Sequence, residues 1–272
     1  MVRGNNMKQN FRYVIFLISI YIISTILGIY LFSYRAHKVD PSNGISVEHN
    51  TIKSKESKPM NESYEEEKPN SEKDIMLNNH KVAYLTFDDG PSSNVTPKIL
   101  DILEESDINA TFFITGEMAK NNKDIIKDIK LKKHSIGNHS YTHDFNIIYS
   151  SKENLISEVE STERVLKDIL GEEYKSDFFR FPGGSFEEYK DPYKNVLKDM
   201  NIKYIDWNAL NGDSEYSNVP VEAQLQKIKD TVSNKDRVII LLHDSSSKET
   251  TVEALPEIIK YLKEQNFKFI SL

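Results

Sequence analysis

The amino-acid sequence predicts an α/β fold: about seven βα units wound into a closed or nearly closed barrel, behind one N-terminal transmembrane helix and a disordered stalk. Three observations carry that reading. From Lys81 onward, short apolar runs alternate with amphipathic stretches whose apolar residues recur at three- and four-residue spacing. Val14 to Phe32 form an apolar run without a single charge. Between these two parts the composition turns polar, with SKESKPMNESYEEEKPNSEKD at its centre.

The N-terminal run has about the length that crosses a ~30 Å hydrocarbon core as a helix. It exceeds an ordinary cleavable signal core, and Ser33–His37 offers no small-x-small cleavage site, so a retained anchor over residues 14–34 is expected. Arg3, Lys8 and Arg12 precede the span and Arg35 and Lys38 follow it, which puts residues 1–13 in the cytoplasm and the remainder outside the cell membrane. Residues 35–79 have too few apolar side chains to bury and read as a flexible polar stalk. Residues 80–272 remain as one folded domain on the outer side of the membrane.

The strands expected in that domain are VAYLTF, ATFFIT, HSIGN, FFRF, KYIDW, RVIILL and FKFISL. The helices are TPKILDILEES, KDIIKDIKLKK, ENLISEVESTERVLKDIL, VEAQLQKIKDTV and ALPEIIKYLKEQ. The chain has no cysteine, which excludes disulfides, thiolate metal sites and a cysteine nucleophile. Its formal net charge of −7 and the lack of a basic patch with interleaved aromatics argue against nucleic acid.

The polar clusters all sit where a strand ends: DDGP, NHSYTH, PGGS, NGD and HD. In a parallel β/α barrel those ends converge on one rim, where active sites lie. Adjacent Asp88 and Asp89 point to opposite faces of a strand unless the pleat breaks, and Gly90-Pro91 breaks it; alone, the same residues are ordinary turn chemistry. His139 and His143, if on one helical turn, share a face and can hold one metal ion with a carboxylate from elsewhere; otherwise they are two surface histidines. His37, His49, His80 and His134 have no such partners and read as stalk or surface residues. His243, at the end of an apolar strand, is a candidate acid or base. Arg180 opens RFPGGS, whose glycines can bring backbone N–H groups close to an oxyanion. Trp207, the only tryptophan, reads as core packing or a sugar platform. Asp206 and Asp213 flank the same strand end, and either can orient His243.

In order, TFDDGP, HSYTH, RFPGG, the Trp207–Asp213 stretch and LLHD resemble the polysaccharide deacetylases of carbohydrate esterase family 4. The resemblance covers about Lys81 to Leu272. It implies a distorted (β/α) barrel with fewer than eight complete units, and metal-dependent hydrolysis of N-acetyl groups on a peptidoglycan or chitin-like polysaccharide. By it, Asp88 is the general base, and Asp89, His139 and His143 are the metal ligands. Arg180 balances the charge of Asp88, His243 is the general acid, and Leu241 lines the pocket for the acetyl methyl. Gly183 stands where the family often has an aromatic residue, so a side-chain wall is missing there while its N–H can still serve the oxyanion. The register after Trp207 favours Asp213 over Asp206 for orienting His243. The expected cofactor is one divalent ion, Zn²⁺ before Co²⁺, Mn²⁺ or Ni²⁺, and the chain is expected to act as a monomer. An O-acetyl esterase with the same site and a non-catalytic glycan-binding protein are the rival readings.

Overall fold

The structure is a computed structural model, and it describes Glu72, Ile75 and residues 79–272. The expected cytoplasmic N-terminus, the span at 14–34 and almost all of the stalk lie outside the described residues. Among the described residues no helix is long and apolar enough to cross a membrane.

Strands β1 (Lys81–Asp88), β2 (Thr111–Ile114), β3 (Ser135–Asn138), β4 (Phe178–Phe179), β5 (Lys203–Tyr204), β6 (Ala209–Leu210), β7 (Arg237–His243) and β8 (Phe267–Phe269) form one sheet. All its pairings are parallel. Its order is β5-β4-β3-β2-β1-β7-β6, with β8 pairing the start of β1 off this path. Strands β5 and β6 lie at opposite ends of that order, yet only residues 205–208 join them. Such a link reaches at most ~19 Å, whereas seven strands laid flat span ~29 Å. The sheet must therefore curl until its edges approach, which makes a parallel half-barrel.

Helices α1 (Thr96–Glu105), α2 (Gly116–Asn121), α3 (Lys123–Leu131), α4 (Phe145–Ile148), α5 (Lys152–Leu170), α6 (Asp191–Asp199), α7 (Val221–Val232) and α8 (Glu249–Glu264) fill the connections. Their apolar stripes cover the outer face of the sheet. Leu85 and Phe87 of β1, Phe112 and Ile114 of β2, and Val238, Ile240 and Leu242 of β7 share one core with Ile99, Leu103, Ile126, Ile258 and Leu262. Because side chains alternate along a strand, the intervening residues Thr86, Asp88, Leu241 and His243 face inward.

Two expected elements differ from the structure. The KYIDW run is not one strand; it ends at Tyr204, and pairing resumes at Ala209 on the opposite edge, leaving Asp206 and Trp207 in the crossing link. The last long helix starts at Glu249, a turn before ALPEIIKYLKEQ, and carries Pro256 inside it. Glu72 and Ile75, within the expected stalk, pack on the domain. Tyr84 donates to Glu72 (2.6 Å), Arg237 pairs with it (2.7 Å), and Ile75 is buried beside Val82 and Tyr84.

Candidate active site

The rim at the strand C-terminal ends gathers the expected residues. Asp88 ends β1, and Asp89 follows in the left-handed region at φ 75°. That conformation, one residue before Gly90, turns the second carboxylate onto the side of the first. Gly90 is needed for closeness: a Cβ there would lie 2.1 Å from a carboxylate oxygen of buried Asp244.

His139 and His143 do not share a helical turn as the i,i+4 spacing suggested. They sit in a loop leaving β3, in which Ser140 (φ 71°) and His143 (φ 58°) are left-handed. The loop still brings the rings to 5.0 Å between centroids. Three side-chain acceptors shape it. Glu158 of α5 accepts from the N–H groups of Tyr141 (2.9 Å) and Thr142 (2.8 Å) and from the Thr142 hydroxyl. Asn138 accepts from Ser140 N–H (3.0 Å), and the Ser140 hydroxyl accepts from His143 N–H (3.2 Å). Glu158 lies on the buried stripe of α5 with Leu155, Val159 and Thr162. Sequence reasoning missed it, although a carboxylate on an apolar stripe was the available signal.

Asp89 Oδ1 stands 3.2 Å from His143 Nε2 and 3.5 Å from His139 Nε2. The three ligand atoms lie within 4.8 Å of one another. Asp89 Oδ1 is buried with no hydrogen-bond partner. His139 donates its Nδ1–H to the Arg180 carbonyl (2.8 Å), which leaves the Nε2 lone pair free. Burial opposes ionisation of Asp89, but the imidazoles of His139, His243 and His143 outweigh it and hold the carboxyl far below the ordinary range. Burial, assisted by the charge of His139, lowers the His143 imidazole. An orphaned carboxylate oxygen facing two imidazoles is the donor set a divalent ion requires, so these residues fit a metal.

Asp88 Oδ1 accepts from Arg180 Nη1 at 2.8 Å, leaving Oδ2 toward His139 Nε2 at 3.7 Å. Arg180 follows β4 and is completely buried. It also donates to Thr86 Oγ1 (2.7 Å) and the Ile205 carbonyl (3.0 Å), over the Phe113 ring at 4.1 Å. On the other side, His243 Nδ1 meets Asp213 Oδ1 at 2.7 Å, and Asp213 Oδ2 accepts from the His243 N–H and Thr251 Oγ1, both at 2.9 Å. Burial of His243 lowers its pKa, but Asp213 first, then Asp89 and Asp88, reverse that and push it up to about 9. Asp206 is elsewhere: it accepts from Ser185 N–H (3.0 Å) and from the Ser185 hydroxyl.

Leu241 lies two residues before His243 on the same strand face, mostly buried. Trp207 is only partly buried, edge-on to exposed Phe186 with centroids 5.2 Å apart, so it is not a core residue. Gly183 is exposed at φ 73°, and a Cβ there would meet the Phe145 ring at 2.9 Å. An aromatic ring therefore stands beside this position, supplied by Phe145, whose ring is edge-on to His143 at 5.7 Å. Two of the remaining histidines are described. His80 pairs with Asn266 (2.7 Å), but His134 is not a surface residue. It is buried edge-on to Phe112 and accepts from Ala110 N–H through Nδ1 (3.1 Å); burial lowers its pKa to about 4.

A parallel half-barrel with a carboxylate and two histidines set to hold a metal, an Asp–Arg pair and a His–Asp pair defines a hydrolase class. Residues 77–205 match the polysaccharide deacetylase family. A peptidoglycan-N-acetylglucosamine deacetylase of Bacillus cereus is 34% identical over 70% of this chain and 68% of its own. A carbohydrate esterase family 4 esterase from Streptococcus mutans superposes with TM-score 0.67 and 34% identity, covering 72% of this chain and 88% of its own. A family 4 pseudoenzyme from Bacillus anthracis superposes with TM-score 0.61 and 29% identity, covering 71% and 64%. The chain belongs to the polysaccharide deacetylase family, and is a hydrolase acting on amides.

Proposed function

We propose that this chain removes N-acetyl groups from N-acetylglucosamine residues of peptidoglycan and releases acetate. One observation carries the reading: the unpartnered Asp89 oxygen with His139 and His143 lies between a buried Asp88–Arg180 pair and the His243–Asp213 pair. A pseudoenzyme among the structural relatives means that fold alone is a weak argument for turnover. The site itself brings together a metal-ligating set, a carboxylate base and an imidazole acid.

Asp89, His139 and His143 would hold a divalent ion, Zn²⁺ by their nitrogen and carboxylate donors. When bound, such an ion polarises the acetyl carbonyl and makes water a better nucleophile. Asp88 takes the proton of the attacking water at Oδ2, since Arg180 occupies Oδ1. The Gly183 N–H donates to the oxygen that gains charge. His243, anchored through Nδ1, gives a proton from Nε2 to the departing amine, which is a poor leaving group without it. Leu241 borders the acetyl methyl and Trp207 the sugar.

The glycan comes from the Bacillus cereus relative's name. The apolar run at 14–34 and the polar stretch after it support an extracytoplasmic domain tethered to the membrane and facing the wall. A second reading, hydrolysis of O-acetyl esters at the same site, is favoured by the Streptococcus mutans relative, which is named an esterase. Comparing acetate release from peptidoglycan and from O-acetylated xylan, with and without added Zn²⁺, separates the two. Release from xylan alone would sink the amide reading.

A further inference from the structure

The loop Phe181-Pro182-Gly183-Gly184-Ser185 has a buried ammonium beneath it. Lys190 ends a 3₁₀ turn (Glu188–Lys190), and its side chain is 1% exposed. Its Nζ donates to the carbonyls of Pro182 (3.1 Å) and Gly184 (2.5 Å) and pairs with Glu187 at 3.5 Å. Two of the three ammonium donors thus go to backbone carbonyls, and the Glu187 carboxylate balances the charge. The rings of Tyr149, Tyr189 and Phe145 surround it at 4.7, 5.6 and 5.8 Å. A buried lysine costs free energy unless every donor is matched, and here the matching is directed at two backbone carbonyls. Tyr149 adds a second hydrogen bond to the Pro182 carbonyl, at 2.6 Å.

A trans peptide unit points its C=O and the next N–H in opposite directions. Holding the Pro182 carbonyl toward Lys190 and Tyr149 therefore aims the Gly183 N–H to the other side. The same rule operates two residues on: Lys190 takes the Gly184 carbonyl, and the Ser185 N–H points away to Asp206. Gly184 N–H is spent on the Phe181 carbonyl (2.7 Å). Within this loop Gly183 is the exposed residue, flanked by buried Pro182 and Gly184. We infer that Lys190 and Tyr149 are positioning residues that fix the direction of the Gly183 N–H for the oxyanion of the reaction. The inference deepens the deacetylase reading and rests on it for its catalytic consequence.

The test compares the full chain with Lys190→Met and Tyr149→Phe. Acetate release with Zn²⁺ should show kcat lower by about 10- to 100-fold in Lys190→Met and by a few-fold in Tyr149→Phe, with KM within about twofold. A role confined to stability would instead lower Tm and leave kcat of the folded protein unchanged. In ¹⁵N-glycine-labelled, metal-free chain, the Gly183 amide should be rigid in the natural protein and mobile in both variants. Unchanged kcat in a folded Lys190→Met would overturn the inference. Should Lys190→Met not fold, Tyr149→Phe decides, since it removes one hydroxyl and keeps the ring. If the natural chain releases no acetate the deacetylase reading fails, and the Gly183 amide then decides alone: unchanged mobility in the variants overturns the clamp.

Discussion

Asp88 and His243 are register partners across β1 and β7, the last paired residues of two adjacent parallel strands. Strand alternation aims both side chains inward. One is held by Arg180 after β4 and the other by Asp213 after β6. The two groups assigned to opposite proton transfers thus differ in their second partner: a cation for the carboxylate and an anion for the imidazole.

That difference predicts a pH signature. In the metal-free chain, the His243 imidazole should titrate near 9, and Asp213→Asn should bring it down toward the ordinary histidine range. The sign follows from the raised folded pKa: the stabilisation is fully present below about 6.5 and is lost as pH rises through about 9. NMR titration of the imidazole carbons checks this, and an Asp213→Asn curve overlying that of the natural chain would contradict it.

Glu158 should matter to metal binding without touching metal. It holds the backbone between the two histidines through Tyr141 and Thr142. Glu158→Gln should weaken Zn²⁺ binding by about 10- to 100-fold, the usual scale for residues that orient ligands. Calorimetric titration measures the change.

Buried Asp244 makes a separate prediction about stability. Desolvation first, then the charges of Asp89 and Asp88, raise its pKa to about 7, against the pull of Thr96 and His243. A raised carboxyl pKa means that its contribution is complete below about 3.8 and is lost as pH rises through about 7. Asp244→Asn should therefore gain stability relative to the natural chain between pH 5 and pH 8. Urea denaturation at the two pH values shows the change in difference.

Gly90→Ala should destabilise the chain by about 2 kcal/mol or more, because its Cβ would enter the Asp244 carboxylate. Thermal unfolding checks the magnitude.

The βα alternation and the position of each polar cluster were legible because each follows from local pattern, whereas the residues alone left Asp206 and Asp213 both open as partners of His243 and only the family resemblance favoured Asp213. The place of Asp88 and His243 at the ends of apolar runs was enough to predict a shared rim, because the ends of parallel strands converge. The histidine loop was not legible, since an i,i+4 spacing fits a helical turn and a left-handed loop equally, and Glu158 decides between them from a distant helix. The break inside KYIDW was hidden because its residues suit a strand, while the pairing partners that end it belong to opposite sheet edges. Phe145 reaches the side of Gly183 only through the fold, so no local pattern around Gly183 points to that ring.

On the proposed mechanism Asp88, beside a metal held by Asp89, His139 and His143, activates water against an acetamide. Acetate release from peptidoglycan by the full chain tests it most directly, with added Zn²⁺, with chelator, and with Asp88→Asn checked for folding by circular dichroism. Release should need metal and fall by at least about 100-fold in Asp88→Asn. Release that persists in chelator or in folded Asp88→Asn would contradict it.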